Sequence, residues 1–194
     1  MGIPLRVWGG IFFQSAAALM FEVSLSRLLA IRLWHHFAFL IISCALLGYA
    51  LSGSYLLFVR SQSRPFWPSL LFATTLIPLF VVFQHIPFDP TLIALVPFQW
   101  GYLFLLYLLL ALPFFFCGLT ISLLLRQYPQ HAFLLYSGDL IGAAVGCVGF
   151  FLIAPFWQEM EWLAITVLVG CLATGCLTAQ WSRRVLLLGG WWVL

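Results

Sequence analysis

Six long apolar runs, and the start of a seventh, fill this chain almost end to end. They lie near 8–31, 37–59, 67–84, 97–125, 133–154 and 162–181, with 185–194 opening another. About 20 apolar residues, each rising about 1.5 Å along a helix, span the roughly 30 Å hydrocarbon layer of a bilayer. The chain is 64% hydrophobic and 7% charged over 194 residues. A soluble globule of this size could not hide so much apolar surface, because most residues of a small domain touch water. The runs are apolar on every face and lack the alternation of barrel strands, so they read as helices. The expected fold is all-α: a polytopic transmembrane helical bundle of about seven spans, the last incomplete, forming a single domain over 1–194.

Charge placement predicts the topology. All eight basic side chains are arginine. If the spans alternate in direction, Arg6, Arg60, Arg64, Arg126, Arg183 and Arg184 share one side. Arg27 and Arg32 fall toward the other, with Asp89, Glu159 and Glu161. The positive-inside rule then puts the N-terminus in the cytoplasm. Trp8, Trp34, Trp67, Trp100, Trp157, Trp162 and Trp181 fall near run ends, where an aromatic belt belongs. In this setting the net charge of +3 reports topology and gives no reason to expect a nucleic-acid partner. The first run is too long for a cleavable signal. The last stops at Leu194 after about half the length a crossing needs, so a longer parent polypeptide is expected.

Charges at membrane depth are costly and normally face a partner or water. Three candidates stand out: Glu22 and Arg27 in the first run, and Asp139 in the fifth. Five residues turn a helix by about 500°, so Glu22 and Arg27 point about 140° apart and do not simply pair with each other. One reading has Arg27 reaching the interface while Glu22 meets another helix. The other is a polar site in the bundle core, with Asp139 paired to Arg27 or Glu22 across spans one and five. Asp139 could equally cap its own helix. Gly138, Gly142 and Gly146 form a doubled GxxxG, which lets a neighbouring backbone approach closely, and Gly48 and Gly53 mark a small-residue face on span two. Pro78 and Pro113 are expected to kink spans three and four.

Signs of catalysis are scarce. The sequence has no GxGxxG after a strand, no phosphate-binding loop, no HExxH and no GxSxG. His35 and His36 are adjacent and point about 100° apart, which suits no shared ligand sphere. The five cysteines (Cys44, Cys117, Cys147, Cys171 and Cys176) all lie within runs and include no CxxC. They read as small hydrophobes. No catalytic, metal-binding or cofactor-binding residue is expected, and no cofactor.

Four segments nevertheless resemble one family, the membrane-embedded spermidine synthase-like proteins. They are Ala18–Ala30, with its Phe21-Glu22-Val23 and Ser26-Arg27-Leu28-Leu29; Leu47–Gly53; Leu112–Gly118; and Leu135–Cys147, with its Tyr136-x-x-Asp139-Leu-Ile-Gly142-Ala-Ala-x-Gly146. Their order and spacing agree over most of 15–155. The resemblance implies a multi-span membrane domain joined to a cytosolic Rossmann-like domain similar to aminopropyltransferases, which bind decarboxylated S-adenosylmethionine and a polyamine. The glycine-rich loop and acidic amine ligands of such a domain are absent from these residues. The expected function is thus a structural or anchoring membrane domain of a spermidine synthase-like protein, in a bacterial inner membrane. Its expected partners are the lipid bilayer and either other membrane subunits or a missing C-terminal domain. Two alternatives stay open: an accessory scaffold subunit of a respiratory or photosynthetic complex, and a small transporter or channel.

Overall fold

The computed structural model describes residues 4–33, 38–59, 64–85, 96–156 and 159–189. Six α-helices occur among them: α1 (Leu5–Leu33), α2 (Ala38–Phe58), α3 (Phe66–His85), α4 (Phe98–Gln127), α5 (Ala132–Ile153) and α6 (Glu159–Gly189). Short 3-10 turns, Pro129–His131 and Ala154–Phe156, flank α5. Prolines punctuate the chain where helices begin. Pro4, Pro65 and Pro97 immediately precede or open the first turns of α1, α3 and α4, where a missing N–H costs nothing and the fixed φ suits a helix. Pro78 and Pro113 sit inside α3 and α4, and both helices continue through them.

Five helices are long and apolar enough to cross a membrane; the apolar stretch of α3, Phe66–Val82, is shorter. This makes the chain a helical membrane protein, but not one of seven spans. Val185, expected to begin a seventh, continues α6 without a break, and 190–194 lie outside the described residues. The polar step Ser182-Arg183-Arg184 suggested a loop. It contains no proline or glycine, and arginine is a good helix former. Polarity there marks the end of the apolar layer rather than the end of the helix. At 31 residues, α6 is about 46 Å long, well beyond the roughly 30 Å of hydrocarbon.

Helix α1 is the hub, packing against α5, α6, α2 and α4, while α3 bridges α4 and α6. Facing residues give the directions. Gly138, Gly142 and Gly146 meet Trp8, Phe12 and Ala16 in rising order, so α5 runs parallel to α1. Gly48 meets Ala111 while Gly118 meets Tyr49 and Ser52, so α2 and α4 are parallel. Gly10 meets Leu177 while Met20 clusters with Trp162, so α6 opposes α1. Ser69 meets Thr174 while Ala73 meets Gly170, so α3 opposes α6. The result is strict alternation in chain order. The main apolar core joins α1 to α2, α3 and α4 through Phe21, Leu25, Cys44, Phe72, Leu110 and Phe114. The Phe21 and Phe114 rings lie 5.8 Å apart at its centre.

Trp67 and Trp100 are exposed near the starts of α3 and α4, as belt residues should be. Trp162 is not a belt residue. It is buried against Phe150, ring centroids 4.6 Å apart, in a cluster with Met20 of α1 and Ala154. Trp34 and Trp157 lie outside the described residues.

Candidate functional site

The polar residues of the spans converge on α1, and small residues are what bring the helices close enough for this. Gly138, Gly142 and Gly146 are all buried on the stripe of α5 that faces α1. A Cβ at Gly142 would collide with the Phe12 carbonyl and lie 2.9 Å from Phe12 Cα. One at Gly146 would meet the Ala16 carbonyl and lie 2.8 Å from Ala16 Cα. One at Gly138 would lie 3.0 Å from Trp8 Nε1 and from Ile11 Cγ2. Backbone thus rests on backbone, the arrangement that GxxxG faces permit. On α2, Gly48 plays the same part against α4, where a Cβ would lie 2.6 Å from the Ala111 carbonyl oxygen and 2.7 Å from Phe115 N. Gly53, one turn on, has nothing within 4 Å. On the α4 side of the same interface Gly118, not singled out for packing from sequence, faces the side chains of Tyr49 and Ser52.

The close approach of α1 and α5 gives Asp139 its partner. The Ser15 hydroxyl donates to Asp139 Oδ1 across the interface. The expected pairing with Arg27 or Glu22 is not what the structure shows. Arg27 lies twelve residues beyond Ser15 on α1, about 18 Å along the axis, and Glu22 is about 10 Å along it. Arg27 instead reaches the far end of α5, where its Nη1 donates to the Ala154 carbonyl at 3.3 Å. Ala154 is the C-cap of α5, so a cation there complements the negative end of the helix dipole. Glu22 is half-buried, and its carboxyl has no hydrogen-bond or ion-pair partner among the described residues. The three charges are therefore strung along α1 at three depths rather than gathered into one centre.

A second polar group was missed from sequence. Gln14, Ser69 and Thr174 are buried on α1, α3 and α6. Ser69 Oγ lies 2.8 Å from Gln14 Oε1 and 3.0 Å from Thr174 Oγ1, and the Thr174 hydroxyl donates to the Gly170 carbonyl at 3.0 Å. The signal was present as a lone amide within the first apolar run. Charges drew attention instead, although an unpaired amide in an apolar interior also costs several kcal/mol. Beyond this group, the Tyr49 hydroxyl lies 3.8 Å from the buried Cys117 sulfur.

No group of three metal-ligating side chains occurs among the described residues. All five cysteines are free, with Cys44 and Cys117 buried. The chemistry on display is inter-helix hydrogen bonding by Ser, Thr and Gln, with one carboxylate held by a hydroxyl. Such an arrangement can fix helices in register. No protein-family model, no curated protein and no solved structure matches the chain.

Proposed function

We propose that the chain is a rigid membrane anchor, the integral membrane domain of a spermidine synthase-like protein, with its chemistry carried by a C-terminal domain or a partner. The observation that carries this reading is the backbone-on-backbone seating of α5 on α1, repeated by α2 on α4. Interfaces without side-chain space resist sliding, which suits a platform better than a carrier that must rock between states. The Ser15–Asp139 and Gln14–Ser69–Thr174 contacts spend the interior polar groups on neighbouring helices.

The orientation proposed places Arg6, Arg64 and Arg126 in the cytoplasm. These residues lie at the N-terminal end of α1, just before α3 and at the C-terminal end of α4, which strict alternation brings to one side. In a bacterial inner membrane, with the five native cysteines replaced, a cysteine at Gln130 should be shielded from an impermeant thiol reagent and one at Val96 labelled. The reverse pattern would invert the orientation. Two experiments test the anchor itself. A soluble reporter fused after Gly189 should stay in the membrane pellet through an alkaline wash, and its release would refute anchoring. Proteoliposomes of the purified chain should show no proton, sodium or small-amine flux above empty vesicles; flux would favour the transporter reading.

The accessory-subunit reading has one observation in its favour. The outer face of α5 carries an apolar groove of about 520 Å³ lined by Leu140, Ile141, Ala144, Val145, Val148 and Leu152. Mild extraction from native membranes followed by native electrophoresis distinguishes the two: the anchor reading requires migration without respiratory or photosynthetic subunits.

A further inference from the structure

Helix α3 meets α4 and α6 with one side, where Ser69, Phe72, Ala73, Leu76 and Phe80 are buried. On its other side Leu71, Thr74, Ile77, Pro78 and Val81 are exposed. Leu71, Thr74, Pro78 and Val81 follow one another at steps of three, four and three residues, the spacing at which two parallel helices form a seam. This face also carries an unmet polar group. Pro78 has no N–H, so the Thr74 carbonyl lacks the donor that a helix supplies from four residues on. Pro113 deprives the Leu109 carbonyl of α4 in the same way, but Pro113 is buried within the bundle, whereas Pro78 stands on the open face. Hydrocarbon offers no donor to such a carbonyl. The Thr74 hydroxyl, meanwhile, donates to the Leu70 carbonyl at 2.9 Å, an acceptor that the helix's own ladder already serves.

We propose that this face of α3 docks a second copy of the chain, in a two-fold dimer about an axis along the membrane normal. Complementarity and depth single out a second copy. Thr74 is the middle residue of the apolar stretch Phe66–Val82, so the two-fold axis sets Thr74 opposite Thr74 at mid-membrane. Each hydroxyl then turns from its own Leu70 carbonyl to the unmet Thr74 carbonyl of the other copy. One surface thus supplies donor and acceptor at one level, as a contact between identical patches requires. Mismatch favours the same partner. The stretch is about 26 Å long, short of the roughly 30 Å of hydrocarbon, and a short span thins the surrounding lipid unless it oligomerises. A second α3 is equally short, so the pair replaces two strained lipid contacts with one helix contact.

The test uses the full chain in vesicles of phosphatidylethanolamine and phosphatidylglycerol. With the five native cysteines replaced, a single cysteine at Leu71 or at Val81 should give a disulfide-linked dimer on mild oxidation. A cysteine at Val148, on the outer face of α5, should stay monomeric. Energy transfer between copies carrying donor and acceptor fluorophores at the C-terminus then follows the dimer as lipid is added. Thr74→Val removes the donor, and Pro78→Ala restores an N–H to the Thr74 carbonyl. Each should shift the dilution midpoint about fivefold to tenfold toward monomer, the worth of two hydrogen bonds between membrane helices. Thr74→Ser keeps the hydroxyl and should behave as wild type. Wild type that stays monomeric at every lipid ratio overturns the proposal, as does cross-linking at Val148 in place of Leu71 and Val81. A dimer that ignores Thr74→Val overturns it too, and that near-isosteric variant decides the matter even if Pro78→Ala fails to fold.

Discussion

Replacing Gly142 with alanine adds one methyl group at the tightest seam of the bundle. That carbon would lie 2.9 Å from the Cα of Phe12 and closer still to its carbonyl. Carbon atoms rest about 3.5–4.0 Å apart, so α5 must retreat from α1 by about 0.6 Å or more. A gap of about 0.5–1 Å forfeits a quarter to a half of each dispersion contact along the seam. Neither helix can absorb the strain by rotating a side chain, because both partners are backbone. Overpacking of this kind costs about 1–3 kcal/mol. It outweighs the gain of up to about 1 kcal/mol that alanine brings over glycine in a helix. Gly149 lies on the same helix with nothing within 4 Å, so Gly149→Ala keeps the propensity gain and meets no obstacle. Unfolding by SDS titration in mixed micelles should therefore separate the pair, with Gly142→Ala destabilised and Gly149→Ala neutral or stabilised. Equal stabilities would refute the seating of α5 on α1.

On α2 the same logic makes Gly48→Ala destabilising by about 1–3 kcal/mol and Gly53→Ala harmless, again by SDS titration. Ser15→Ala should cost about 0.5–1.5 kcal/mol, because half-buried Asp139 loses the hydroxyl that donates to it; Ser15→Thr keeps the hydroxyl and should recover most of the loss. Arg27→Met removes the cation at the end of α5, a loss of about 0.3–1 kcal/mol, and should speed amide hydrogen exchange in the last turn of that helix while leaving its glycine-faced half unchanged. Incubated with decarboxylated S-adenosylmethionine and putrescine, the purified chain should form no spermidine above background.

The helices and the arginine-bearing ends were legible in the sequence because membrane insertion is a local rule. Each apolar run must satisfy its own backbone as a helix, and each arginine seeks an end. The expected runs and the observed α1 to α5 differ by a few residues at most. The seventh span failed for a physical reason as well: a polar triplet ends an apolar layer without ending a helix. Pairing was a different matter. Runs that are apolar all round carry no stripe to say which face turns inward. Gly48 and Gly53 read alike in the sequence, yet one supports α4 and the other faces open space. Asp139 suggested an ion pair, but the register of α5 on α1 set it beside Ser15 and left Arg27 to cap the far end. Gln14 was hidden among its apolar neighbours until Ser69 of α3 and Thr174 of α6 came to it. The sequence by itself determined that these segments are helices, five of them long and apolar enough to cross a membrane, and, if they alternate, which ends share a side. The tertiary structure alone decided which polar groups meet, because that depends on the rotation and register of helices whose own surfaces leave both undetermined.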